Sequence, residues 1–108
     1  MISVHSNERA IRTGRKTLTR ATFQVGRGEP IAIRSVRRAE DEVLGRLIDA
    51  LRDGPPDEAY LAATDALTAA ERAAEDDGAH PTFLAMIGVL TDAIGDEGEN
   101  PAITIAIS

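Results

Sequence analysis

Cysteine and tryptophan are absent from this chain of 108 residues. Without thiols there is no disulfide framework and no thiolate metal centre. The aromatic residues are only Phe23, Tyr60 and Phe83, too few to stack a run of nucleic-acid bases. Histidine occurs twice, at His5 and His80, short of the convergent ligand set that zinc needs. The longest uncharged run, Gly78–Thr91, has 14 residues, whereas a membrane-spanning helix needs about 20. The opening Met1-Ile2-Ser3-Val4-His5 lacks the basic and apolar regions of a secretory signal. The expectation is a cytoplasmic protein with no cofactor, no metal and no membrane partner.

What is present is enough for one modest core. Leu, Ile, Val and Phe make up 25 of the 108 residues, about 23%, above the roughly 20% below which charged chains stay disordered. Ala adds 18 more, each burying little area. The length fits a single domain, residues 1–108. The formal net charge of −6 conceals a division. Residues 1–38 hold nine bases and two acids, a net +7; residues 39–108 hold three bases and sixteen acids, a net −13. Such asymmetry either folds into internal complementarity or offers one face to a charged partner. The excess of Arg over Lys and the abundance of Ala suggest a bacterial or phage source of high GC content.

The acidic segment 36–95 reads as three helices. Val36, Ala39, Val43, Leu44, Leu47, Ile48 and Leu51 recur at spacings of three and four, predicting a helix over Val36–Asp53. Ser35 is its expected N-cap, Gly54 its left-handed C-terminal residue, and Pro55-Pro56 its stop. The second helix runs from these prolines to about Asp76, with Tyr60, Ala63, Leu67, Ala70 and Ala74 as its core stripe. Glu75-Asp76-Asp77 end it badly, because acids oppose the helix dipole there; this end should fray or meet a base from the N-terminal half. The third helix spans about Pro81–Ile94 with Gly95 beyond its end. It is apolar nearly all round, which places it centrally or in an interface. Gly88 within it suggests a close backbone contact.

The basic segment 1–35 reads as strand-rich. Ile31–Ser35 is a strand preceded by the turn Gly26–Pro30. Residues 9–25 fit two periods: a strand with Thr17, Thr19, Ala21, Phe23 and Val25 on one face, or a helix aligning Ile11, Leu18, Ala21 and Val25. The Thr, Phe and Val content favours the strand, hence a hairpin. Ile2–His5 adds a short edge strand. Residues 102–108 alternate without charge, with Ile103, Ile105 and Ile107 on one face, so this strand should be paired on both edges within the sheet or across a dimer interface. The expected fold is α+β: three helices packed on a small, mostly antiparallel sheet of three to four strands.

The candidate chemistry is binding rather than catalysis. Asp76, Asp77 and His80, or Asp96, Glu97, Glu99 and Asn100, match no calcium-loop or zinc spacing. No Ser or Thr sits in a nucleophile motif, Gly26-x-Gly28 lacks the rest of a nucleotide-binding fingerprint, and His80 reads as a helix-entry residue. No catalytic residue and no metal ligand is therefore expected. The preferred reading is a regulator, immunity- or antitoxin-like protein or phage inhibitor. It docks on a protein partner through an acidic helical face including Asp49, Asp53, Asp57, Glu58 and Asp65. The alternative is a small dimeric nucleic-acid-binding regulator using Arg12, Arg15, Lys16, Arg20 and Arg34. Arg37 and Arg38, unfavourable in a first helical turn, are expected to be neutralised by Glu40-Asp41-Glu42. The apolar third helix and uncharged last strand suggest a homodimer with Phe83, Ile87, Ile103 and Ile105 in its interface.

Overall fold

A computed structural model describes Val4–His5 and residues 17–108. The alternating N-terminal stretch forms the hairpin: β2 (Thr19–Val25) pairs antiparallel with β3 (Ile31–Ser35), Ala21 opposite Ile33 and Phe23 opposite Ile31. The two-residue β1 (Val4–His5) is parallel to β4 (Ile103–Ile107), and β4 is antiparallel to β2. The order across the sheet is β1-β4-β2-β3. The uncharged β4 is thus paired on both edges, as its composition demanded. Ala21, Phe23, Val25, Ile31, Ile33, Ile103 and Ile105 all point into the core from one sheet face.

Among the described residues, three helices form the layer over that face: α1 (Arg38–Asp53), α2 (Ala59–Glu75, preceded by a 3-10 turn at Pro56–Glu58) and α3 (Pro81–Glu97). α3 lies against β3 and β2, α1 touches β3, and α2 packs on α1 and α3. The burial of α3 follows from this sandwich. Phe83, Ile87, Leu90 and Ile94 are covered, while Val89 stays 48% exposed on the outside. Among the described residues, no helix is long and apolar enough to cross a membrane.

The alanines of α2 set the spacing of the helix layer. Ala59, Ala63, Ala66 and Ala70 form the buried stripe; Tyr60, expected on it, is half exposed. Small side chains let α3 come close enough for Thr91 to reach across. Its hydroxyl donates to the Ile87 carbonyl at 2.8 Å, with the Ala63 carbonyl at 3.3 Å sharing the proton.

Helix ends depart from the expectations. α1 begins at Arg38, with Arg37 at its N-cap, rather than after Ser35. Ser35 is buried and its hydroxyl serves the sheet, donating toward the Thr19 carbonyl and to Asp41 while accepting from the Thr19 N–H. Gly54 is extended rather than left-handed (φ −87°). It is needed because a Cβ there would lie 2.5 Å from the Ala50 carbonyl oxygen. Gly95 lies inside α3, where a Cβ would come within 2.9 Å of the Tyr60 ring, and the helix ends instead at Gly98 with φ +84°.

The acidic end of α2 is closed. Gly78 N–H bonds the Ala73 carbonyl and Asp77 N–H the Ala74 carbonyl, with Asp77 left-handed at φ +57°. This double closure satisfies the last carbonyls of the helix. Arg37 then donates from its guanidinium to the Asp77 carbonyl at 2.9 Å. The base from the N-terminal half that the helix end called for is therefore in place. The Arg37 guanidinium is thus tied to the end of α2, not to the neighbouring acids of α1.

Gly45 and Gly88 sit mid-helix with nothing within 4 Å of where a Cβ would be, so Gly88 makes no close backbone contact. Gly45→Ala and Gly88→Ala should each raise unfolding free energy by about 0.5–1 kcal/mol, through reduced freedom of the unfolded chain. Urea unfolding midpoints check this; an unchanged or lower midpoint for Gly88→Ala would restore the close-contact reading.

Candidate functional site

The residues of the expected acidic face divide into three groups. Asp49 and Asp53 are engaged by Arg52, whose guanidinium lies 2.8 Å from Asp49 and 3.3 Å from Asp53. The hydrogen bond and charge of Asp53, then the charge of Asp49, hold Arg52 above its ordinary pKa. All three side chains are solvent-exposed, so the cluster cancels charge locally without forming a recess. Asp57 borders a shallow depression with Tyr60, Asp92, Asp96 and Glu99. Among the described residues, no three His, Asp or Glu side chains converge closely enough to hold a metal ion.

Glu58 and Asp65 belong to a more shaped place. The outer faces of α1 and α2 enclose a groove of about 410 Å³. Val43, Leu47 and Ala50 form its α1 wall; Leu61, Ala62, Ala66 and Ala69 form its α2 wall. Glu58 and Asp65 rim one side and Arg46 the other. The helical period explains the pairing: Glu58, Leu61, Ala62 and Asp65 fall three and four apart, so they share one stripe of α2. Among the described residues, Leu61, at 58%, is the most exposed large hydrophobic side chain. Sequence reasoning missed it. The signal was available, because Leu61 falls off the core stripe and stands four residues before Asp65.

Of the basic set, Arg12, Arg15 and Lys16 lie outside the described residues. Arg20 and Arg34 are directly opposite each other on β2 and β3, both exposed on the sheet face away from the helices. Among the described residues, no carboxylate lies within 4.0 Å of either.

The four residues expected in a dimer interface need correcting. Phe83 is 3% exposed, Ile87 0%, Ile103 1% and Ile105 1%. The chain's own sheet and helices already cover them, so a dimer would have to use other residues. An apolar helix satisfies the sequence pattern equally well when buried within one chain as between two.

One polar residue stands apart. Glu40 is 1% exposed, and its carboxylate ties two helix starts together. Oε1 accepts from the backbone N–H groups of Val36 (2.9 Å) and Arg37 (3.0 Å); Oε2 accepts from the His80 N–H at 2.8 Å. His80 in turn caps α3, its Nδ1 accepting from the Thr82 N–H at 3.0 Å. Glu40 is thus a structural clamp between α1 and α3 rather than a neutraliser of Arg37 and Arg38. No side-chain polar atom is buried without a partner among the described residues.

No family model matches the chain, and no curated protein or solved structure is significantly similar to it.

Proposed function

We propose that this is a non-catalytic, cytoplasmic binding protein, of the regulator, antitoxin-like or inhibitor-like kind, that docks on a protein partner through the groove between α1 and α2. The observation that supports the reading is Leu61, more than half exposed in an apolar groove that charged residues border on both sides. An apolar floor with a charged rim is the anatomy of an anchor-residue pocket. The groove between two helices suits an amphipathic helix of the partner, with basic residues on the flank that meets Glu58 and Asp65. In place of the broad acidic face, Glu58 and Asp65 carry the charge recognition.

The test is comparative co-purification from the native host. A partner held by the unmodified protein should be lost with Leu61→Asp, weakened by about tenfold or more as for an anchor residue. Asp65→Lys should slow its association and raise its sensitivity to salt. Circular dichroism should show both variants folded, since Leu61 and Asp65 are surface residues. Capture that both substitutions leave unchanged rejects the groove.

The exposed Arg20–Arg34 pair favours nucleic acid as the second reading. Two phosphate contacts imply a log–log salt slope of about −2 on duplex DNA. Titration against mixed DNA and RNA at low and moderate salt decides, and no salt-sensitive binding at micromolar protein discards it. Sedimentation over a concentration series tests the homodimer.

A further inference from the structure

We infer that the open edge of β3 is a second docking surface, one that accepts an extended peptide segment alternating acidic and apolar residues as an added strand. It shares no lining residue with the α1–α2 groove and does not depend on it.

The hydrogen-bond polarity of the sheet is the first ground. Arg20 exchanges both backbone bonds with Ser108, its N–H to that carbonyl at 3.2 Å and its carbonyl from that N–H at 2.7 Å. The even-numbered residues of β2 therefore face β4, and the odd-numbered ones face β3, by antiparallel alternation. Through the register, Ile31, Ile33 and Ser35 turn their backbone groups toward β2. Ala32 and Arg34 turn theirs outward. Among the described residues, β3 is the last strand of the sheet on that side, and both residues are exposed. No turn, loop or side-chain hydrogen bond among the described residues uses the backbone of either. The edge lacks proline and pairs without a break in register, so nothing in its own chain geometry turns a strand away.

Shape and charge are the second ground. A groove of about 520 Å³ runs along this edge, with Ala32, Arg34 and Val36 on the strand side and Thr82, Phe83 and Met86 on the α3 side. Val36 is 43% exposed there. An added strand would send alternate side chains to opposite faces. Those on the helix side would meet the apolar wall that Val36 and Met86 offer over the buried Phe83. Those on the other side would lie beside Arg34 and near Arg20. Two arginines directly across a sheet repel each other, and an acidic neighbour relieves both.

The same charge decides against other occupants. A second copy pairing through β3 would set Arg34 and Arg20 against their own counterparts. Residues 6–16 of the chain carry Arg9, Arg12, Arg15 and Lys16 against Glu8 alone, so they do not complement the edge. Phosphate would satisfy the arginines but not the outward backbone groups or the apolar wall.

The probe is a short fluorescein-labelled peptide alternating Glu and Val, followed by anisotropy, with Lys-for-Glu and alternately N-methylated versions as controls. The Glu peptide should bind, and the Lys peptide should bind about tenfold or more weakly, as should the N-methylated one for want of backbone donors. Arg34→Glu should invert the preference between the Glu and Lys peptides. Amide exchange at Ala32 and Arg34 should slow when the Glu peptide is added. Equal affinity for all three peptides overturns the inference, and so does absence of binding. A single-stranded DNA oligonucleotide that binds more tightly than the Glu peptide and shares its Arg34 dependence overturns it in favour of phosphate. Slowed exchange at Ala32 and Arg34 on raising protein concentration alone overturns it in favour of a second copy. The peptide controls need no altered protein, so the test stands even if Arg34→Glu fails to fold.

Discussion

Replacing Glu40 with alanine is expected to lower the unfolding free energy by about 3–4 kcal/mol, the largest loss from any surface-adjacent polar residue in this fold. The carboxylate accepts from Val36, Arg37 and His80, and the residue is 1% exposed. A fully buried N–H left without a partner costs about 1–3 kcal/mol; these three are part-buried, and water reaching them recovers part of that loss. For a domain of this size the melting temperature should fall by roughly 12–25 °C. Glu40→Gln should lose about half as much, because its carbonyl oxygen can serve one helix start while its NH2 faces an N–H at the other. The exposed neighbour supplies the control: Glu42→Ala should change stability by less than about 0.5 kcal/mol. Urea unfolding of the three variants checks the set. If Glu40→Ala is as mild as Glu42→Ala, the two helix starts do not depend on the carboxylate.

The second large effect comes from adding volume. Ala63→Leu should destabilise by about 2–3 kcal/mol, because the site is fully packed and the larger side chain must push α2 away from its neighbours. Ala63 is 0% exposed, and its carbonyl lies 3.3 Å from the Thr91 hydroxyl. The displacement therefore loosens the Thr91 contact as well. Ala62→Leu, one residue along on the groove side, has open space and should be nearly neutral. Thermal unfolding of the pair measures the difference. Similar losses for both would mean that the alanine stripe does not set the helix spacing.

Several parts of this fold were legible because they depend on local period. The alternation of Ala21, Phe23 and Val25 gave a strand with the correct buried face, and the spacing of Val43, Leu44, Leu47, Ile48 and Leu51 gave α1 and its core side. The helix ends were not legible in the same way. Gly95 looks like a terminator until the Tyr60 ring is known to lie against it, and Gly54 looks left-handed until the Ala50 carbonyl limits it. Both are decisions made by neighbours distant in sequence or by local crowding. Glu40 was hidden for a related reason. In the sequence it is the first of three acids, and only the approach of His80 from 40 residues away makes it a clamp. At the candidate site, the charges of Glu58 and Asp65 were visible from composition, but the groove needed α1 and α2 side by side. Phe83, Ile87, Ile103 and Ile105 were recognised as needing cover; what covers them is the rest of the same chain.

The strand order carries a consequence for the way the protein comes into being. The two inner strands, β4 and β2, come from opposite ends of the described chain, with Val25 beside Ile103 and Phe23 beside Ile105. A chain emerging from the ribosome can close the β2–β3 hairpin early, but the inner edge of β2 waits for the last strand to be made. Until then Ala21, Phe23 and Val25 have no neighbour on that side, and the nascent sheet is at its most adhesive. Such pairings across long sequence separation slow folding. The sheet is thus completed only once β4 has been made, and a chain truncated before Ile103 would hold that edge open.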